Sequence, residues 1–536
     1  MTSKKLQLKK TSGFAGRGAF ARGLVLGLAL LVGAGASAND LVAERALHQL
    51  QTLNTNQFLN EKPPFQADAD ALSSWKPEFE QYLQGVMNEY RLPNIAVQLI
   101  DRQGAIWQIT LGHRDVVKKL PITSKTLYAI GSTSKAFTGV LAMQLQEQGR
   151  LHIDDVVQKY RPDFAVSDVR YSSHITLRDL MTHQTGVGRH DLAWYHRAGE
   201  TRESLFAKIP SLEMGAAPRT EFIYNNWMWT TAGLVTEKVT GESWEQLMRT
   251  RLFIPLRMHS TVMSVADVRR FGDYALPYEV GSLGVNAVPF YDIAPMNPAG
   301  GIFSNLDDMA QWVRFHLSGG SLHGQMILSP EGLRESHRGT AVMGGPNTYA
   351  LGWGSTDFGG DQLLTHDGGI DGFAANVSLM PSKGLGVVVL MNASIVQPQA
   401  VALRIWQHIQ NMPLKDFVRD TAKMAEEQFE KAVDLYPDPP QVALTSEITE
   451  YLGSFCHPAY PAATVQRGPK TDELMLTLSV LRSTIYPVGA DRFSVRGQYN
   501  DGKIVAFERD AKGAVTELHW KIESSVKKPL VFKRCP

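Results

Sequence analysis

The sequence predicts an α+β fold. It has one antiparallel sheet with helices packed on it and a helical lobe, followed by a small all-β barrel-like domain. Three observations carry this. Apolar strand runs stand near the front at Ile95-Ala96-Val97-Gln98-Leu99-Ile100 and Ala105-Ile106-Trp107-Gln108-Ile109. A mostly helical body follows, and strands return at 374–379 and 385–390. Beyond Pro437-Asp438-Pro439-Pro440 the pattern changes to short alternating runs punctuated by glycine, the signature of a small sandwich or barrel.

The elements follow in order. Residues 1–38 read as a secretory signal. Lys4, Lys5, Lys9, Lys10, Arg17 and Arg22 form a basic region, Leu24 to Ala34 is apolar, and Ala36-Ser37-Ala38 is a small-residue cleavage site. The apolar stretch is shorter than the roughly 20 residues of a spanning helix, and no cysteine near the cleavage site offers a lipid anchor. The chain is therefore expected to be exported, periplasmic or secreted, with no membrane insertion once the signal is removed. Residues 39–72 are a polar lead-in broken by Pro63-Pro64. A helix starting at Ser73 carries Trp75, Phe79, Leu83, Val86 and Met87 on its apolar face. Asp101-Arg102-Gln103-Gly104 turns the first strand pair, and Met380-Pro381-Ser382-Lys383-Gly384 turns the last. The expected organisation is a catalytic domain over 73–412, a helical linker over 413–444 and a β-barrel domain over 445–536.

Composition narrows the function. The 536 residues are 43% hydrophobic and 20% charged, which describes ordinary globular domains. Lys plus Arg number 54 against 53 Asp plus Glu, so no basic field points to nucleic acid. Removing residues 1–38 leaves 48 basic against 53 acidic residues, a mildly acidic mature chain. The two cysteines, Cys456 and Cys535, lie in the tail, where an oxidising compartment could pair them. Closing a barrel would bring its first and last strands, and with them both cysteines, together. Two cysteines without a clustered set of other ligands argue against a structural metal site.

The chemistry begins at Ser132-Thr133-Ser134-Lys135. Phe137, Val140, Leu141 and Leu145 recur behind it at helical spacing, so Ser132 and Lys135 share one face at the start of a buried helix. A serine there meets the positive end of the helix dipole, and a lysine one turn on can take its proton. The same spacing occurs at Ser524-Ser525-Val526-Lys527-Lys528, but in a strand-like tail with no helix to orient it. Two further fragments offer partners. Tyr224-Asn225-Asn226 precedes a helical run; the tyrosine pKa, near ~10 unperturbed, would be lowered by neighbouring cations such as Lys135, and Asn226 would offer amide groups to a substrate. His366-Asp367-Gly368-Gly369 precedes a strand. Its small residues allow a substrate backbone to lie alongside, and the Gly369 and Ser132 amides would form a two-donor oxyanion hole. His183, in Thr182-His183-Gln184-Thr185-Gly186, and the Asn297-Pro298-Ala299-Gly300-Gly301 and Asp307-Asp308 segments read as scaffold.

In this order the fragments Ser132/Lys135, Tyr224/Asn226 and His366/Gly368 resemble the serine β-lactamases of the cephalosporinase type (class C), DD-peptidases and related esterases. The segments Leu92-Pro93, Thr126-Leu127-Tyr128 and Leu180-Met181-Thr182-His183 are similar as well, and the resemblance spans about 73–410. The tail is similar to the lipocalin-like β-domain of some members. The resemblance implies a β-lactamase/transpeptidase-like sheet and an acyl-enzyme on Ser132, formed with Lys135 and Tyr224. It implies substrate contacts from Asn226, His366, Asp367 and Gly368, an oxyanion hole at Ser132 and Gly369, and no cofactor. His366 and Asp367 stand where the family pattern has Lys-Thr. A mostly neutral histidine and an added carboxylate there favour neutral or amine-bearing substrates over carboxylate-bearing β-lactams. Trp227, Met228 and Trp229 either narrow the site or pack in the core. The expected partner is a peptide or small-molecule substrate. Amide hydrolysis of D-residue or cell-wall-derived peptides leads; a carboxylesterase with the same residues, and a non-catalytic sensor of peptidoglycan or β-lactams, are the alternatives. Oligomeric state and the barrel's role stay open.

Overall fold

The computed structural model describes residues 69–435, 442, 446–468, 473–496 and 503–536, apart from 198 and 282–283, with side chains undescribed over 428–435. The signal segment, most of the lead-in and the Pro437–Pro440 break fall outside them.

Among the described residues nine strands form one antiparallel sheet. Its centre runs Asp361–Ile370, Phe373–Met380, Leu385–Met391, Asn94–Ile100, Ala105–Asp115. The strands at the two ends of the family-like region are thus neighbours, with Val97 opposite Val389. Alternation along these strands feeds two cores. Ile95, Val97, Leu99, Val387 and Val389 pack with Phe79, Leu83 and Trp406 on one face. Ala96, Ile100, Ala375, Val377, Val388 and Leu390 pack with Phe137, Trp227 and Trp312 on the other. Strands covered on both faces are apolar throughout, as in the wholly buried Leu385–Met391.

The helices differ from expectation in detail. The first splits into Ala69–Ser74 and Lys76–Tyr90, because Pro77 fits only the opening turn of a helix. Phe417–Leu435 is no free linker. Its Phe417 and Val418 are buried in the sheet's first core with Ile405 and Trp406 of the helix Pro398–Ile409. Trp227, Met228 and Trp229 are core residues of the helix Asn226–Thr240 and are at most 1% exposed.

The tail closes into an eight-stranded antiparallel barrel from Gly453–Cys456 to Leu530–Arg534. Its interior is filled by Tyr451, Phe455, Phe493 and Phe507, whose ring centres lie 5.0–5.7 Å apart. The first and last strands pair, Cys456 opposite Lys533, and Cys456 is disulfide-bonded to Cys535. No described helix is long and apolar enough to cross a membrane.

Candidate active site

A tight turn, Gly131–Thr133, leads into the buried helix Ser134–Glu147. It presents Ser132 against the strand Asp361–Ile370. Glycine is required on both sides of this junction. Gly131 has a left-handed backbone (φ +50°), and a Cβ on it would lie 2.5 Å from the Gly369 nitrogen. A Cβ on Gly368 would lie 1.9 Å from the Ile130 oxygen and 3.1 Å from the Ser132 nitrogen. This contact sets the Ser132 amide beside the strand that carries the Gly369 amide. Along that strand, Gly354–Phe358 pairs only as far as Thr365, whereas Phe373–Met380 pairs through Ile370. Among the described residues, no strand therefore pairs with that edge of 366–370, next to Ser132.

Lys135 is fully buried and has three oxygen partners: Asn226 Oδ1 at 2.7 Å, the Ala299 carbonyl at 2.7 Å and Ser132 Oγ at 3.0 Å. Burial pushes its pKa well down, with Arg189 acting in the same direction and Asp191 opposing. A neutral amine has two N–H donors and one lone pair. Carbonyl oxygens only accept, so the two donors go to Asn226 and Ala299. When Lys135 is deprotonated, its lone pair is left for the one partner that can donate, the Ser132 hydroxyl.

The Tyr224 hydroxyl is a second polar neighbour of Ser132, an interaction that acts to lower the phenol's pKa. Its pKa moves up, contrary to the expectation that cations would lower it. Burial outweighs the opposing effects of Ser132 and of the Arg189 charge. The cations are close, Lys135 Nζ being 4.8 Å and the Arg189 guanidinium 5.1 Å from the ring centre. They lie over the ring face. Beneath Tyr224, His183 stacks at 4.2 Å and accepts from the Asn225 amide through Nδ1 at 2.8 Å, the scaffold role expected of it.

His366 is buried and neutral, its pKa pushed down to about 3 by burial and by Lys135. Nδ1 meets the Asp367 carbonyl at 2.6 Å, so Nδ1 carries the proton, and Nε2 accepts from the Tyr349 hydroxyl at 2.7 Å. Asp367 needs correction as a substrate contact. Strand alternation turns its side chain to the opposite sheet face, where Asn376 Nδ2 (2.8 Å) and the Gln399 backbone amide hold it and burial pushes its pKa up to about 7. Gly368 meets the Ser132 turn through its backbone. In the tail, Ser525 is hydrogen-bonded to Glu523 and to the Arg189 amide, and Lys527 is 79% exposed beside Glu221.

Three neighbours escaped the sequence reading. Arg189 and Asp191 form a buried pair at 2.6 Å, and Asp191 Oδ1 accepts from Asn226 Nδ2 at 3.0 Å, which turns the Asn226 oxygen to Lys135. Tyr349 fixes the His366 tautomer. None belongs to a spaced motif; an aromatic seventeen positions before His366 was the only available hint. Among the described residues, no group of His, Cys, Asp or Glu is arranged to hold a metal ion.

A family model described as Beta-lactamase matches residues 79–409. The chain belongs to the β-lactamase family. Relatives in sequence include an unguisins hydrolase from Aspergillus campestris, 27% identical over 78% of this chain and 84% of its own length. Protein flp from Staphylococcus aureus is 25% identical over 59% of this chain and 62% of its own length. Among solved structures, the octameric penicillin-binding protein homologue from Pyrococcus abyssi superposes with a TM-score of 0.59 at 20% identity, covering 85% of this chain and 99% of its own. A β-lactamase/D-alanine carboxypeptidase from Pseudomonas syringae superposes with a TM-score of 0.54 at 20% identity, over 63% of this chain and 99% of its own. The first of these likenesses in fold extends well beyond residues 79–409.

Proposed function

We propose that this family member is an exported serine hydrolase that cleaves amide bonds through an acyl-enzyme on Ser132, with peptides, including D-residue or cell-wall-derived ones, as substrates. The observation that carries the reading is the buried Lys135 Nζ, held 3.0 Å from Ser132 Oγ and 2.7 Å from both Asn226 Oδ1 and the Ala299 carbonyl. In the first step the Ser132 proton passes to Lys135 as Oγ bonds to the substrate carbonyl carbon. The oxyanion lies against the Ser132 and Gly369 amides. Tyr224, held protonated, gives its proton to the departing amine and regains one from the Lys135 ammonium. Water then attacks the ester carbonyl and frees the acid, restoring Ser132. The unpaired edge at 366–370 favours an extended acyl donor that adds backbone hydrogen bonds there, which supports a peptide over a compact ester.

The neutral His366 supports substrates without a carboxylate at that position, because a permanent cation is missing. The charge argument from Asp367 falls away with its orientation. Matched amides bearing a carboxylate, an ammonium or neither test this through kcat/KM, with Ser132→Ala as the blank. The neutral and amine-bearing members should turn over faster. A strong preference for the carboxylate-bearing member contradicts the specificity, and preference for esters at every chain length favours the esterase alternative.

A further inference from the structure

The barrel reaches into the surroundings of Lys135. After the strand Val515–Trp520 the chain crosses to Leu530–Arg534, and on the way Glu523 is buried to 2% exposure. A carboxylate taken out of water needs donors. Glu523 Oε2 accepts from the His190 amide at 2.9 Å, and Oε1 accepts from the Ser525 amide at 3.2 Å and the Ser525 hydroxyl at 2.8 Å. The Ser525 oxygen in turn accepts from the Arg189 amide at 2.7 Å. Two successive backbone donors of the catalytic lobe are thus satisfied by the barrel. The His190 backbone is left-handed (φ 49°), a conformation that persists when its surroundings hold it. Its ring is clamped between the Tyr460 hydroxyl of the barrel at 2.7 Å and the Glu213 carbonyl at 2.8 Å. The approach is close enough that a Cβ on Gly215 would lie 2.1 Å from the Ser525 backbone carbonyl oxygen.

The segment held this way bears Arg189 and Asp191, and Asp191 orients the Asn226 amide that binds Lys135. We propose that Glu523 and Ser525 are positioning residues for acylation. By fixing residues 189–191 they set Asn226 and Lys135 in register with Ser132, so the barrel is a working part of the active site. This rests on the acyl-enzyme reading above.

Fluorophosphonate labelling of the full chain, followed over reagent concentration, separates the maximal rate constant from the half-saturating concentration. Wild type should label at Ser132; if it does not, the acyl-enzyme reading itself fails. Given that labelling, Glu523→Ala should lower the maximal rate constant by ~10- to 100-fold, a loss expected from small misplacement of catalytic groups, and should leave half-saturation within about twofold on the same argument. Glu523→Gln, which keeps an oxygen for the His190 amide, should recover most of it. Ser525→Ala removes one hydroxyl, should show the same effect more weakly, and decides the matter if Glu523→Ala does not fold. Wild-type rate constants in the folded alanine variants overturn the proposal. So does a loss confined to half-saturation, or one that Glu523→Gln fails to recover.

Discussion

Ser132 has two proton partners, and burial drives them to opposite ends of one relay. Lys135 is held towards its neutral form and Tyr224 towards its protonated form. In the proposed mechanism Lys135 takes the Ser132 proton, and the resulting ammonium replaces the proton that Tyr224 gives to the leaving amine. The rate of acylation should rise with pH as Lys135 loses its proton, well below the ordinary lysine range. Arg189 disfavours the Lys135 ammonium. Arg189→Met should therefore raise the lysine pKa and move the acid limb of the pH–rate profile to higher pH. A limb that stays in place or moves down excludes Lys135 as the base. Tyr224→Phe removes the acid needed by an amine leaving group, so amide kcat/KM should fall by ~10²- to 10⁴-fold. A nitrophenyl ester, which leaves without a proton, should lose far less. Equal losses on both would remove Tyr224 from the acid role. The sequence made Ser132, Lys135, Tyr224 and Asn226 legible because each sits in a spaced motif. It concealed the direction of the Tyr224 shift, which burial decides.

At the scale of elements, the catalytic turn and the strand Asp361–Ile370 are joined through glycine. Gly368→Ala would force the strand away from the Ile130 carbonyl, and labelling of Ser132 should slow by ~10²-fold or more while far-ultraviolet circular dichroism keeps its shape. A normal labelling rate would mean that the turn and strand need no such contact. The framing strands were readable from their apolar runs, since central strands buried on both faces have little else in them. Asp367 was misread because a motif was treated as a cluster. In a strand, positions 366 and 368 share a face and 367 takes the other, and that parity was available in the sequence. Arg189 and Asp191 were not recoverable. They lie in an irregular segment whose course is set by contacts with residues more than 300 positions away.

At the scale of the whole molecule, acid should loosen the fold through its buried histidines. Burial pushes His183, His316, His337 and His366 below the ordinary range, His337 to about 4 and His366 to about 3. Between about pH 4 and pH 6.5 the unfolded chain binds these protons and the folded chain does not, so stability rises with pH by up to ~1.4 kcal/mol per unit for each such group. Asp367, raised to about 7, works in the opposite direction, as do Glu279 and Asp308, whose carboxyls burial also raises, but these are three groups against four. The urea midpoint should increase from pH 5 to pH 7; a flat or falling midpoint contradicts the assigned burial. Cys456 and Cys535, 79 positions apart, tie the closing strands of the barrel. Cys535→Ser should cost ~2–4 kcal/mol, read by calorimetry as an earlier barrel transition.

The most direct measurement is intact-mass analysis with peptide mapping after brief fluorophosphonate treatment of the wild type and of Ser132→Ala. A single adduct on the peptide containing Ser132, absent from the variant, is the predicted result. An unmodified wild type, or a variant modified at the wild-type rate, would contradict the account.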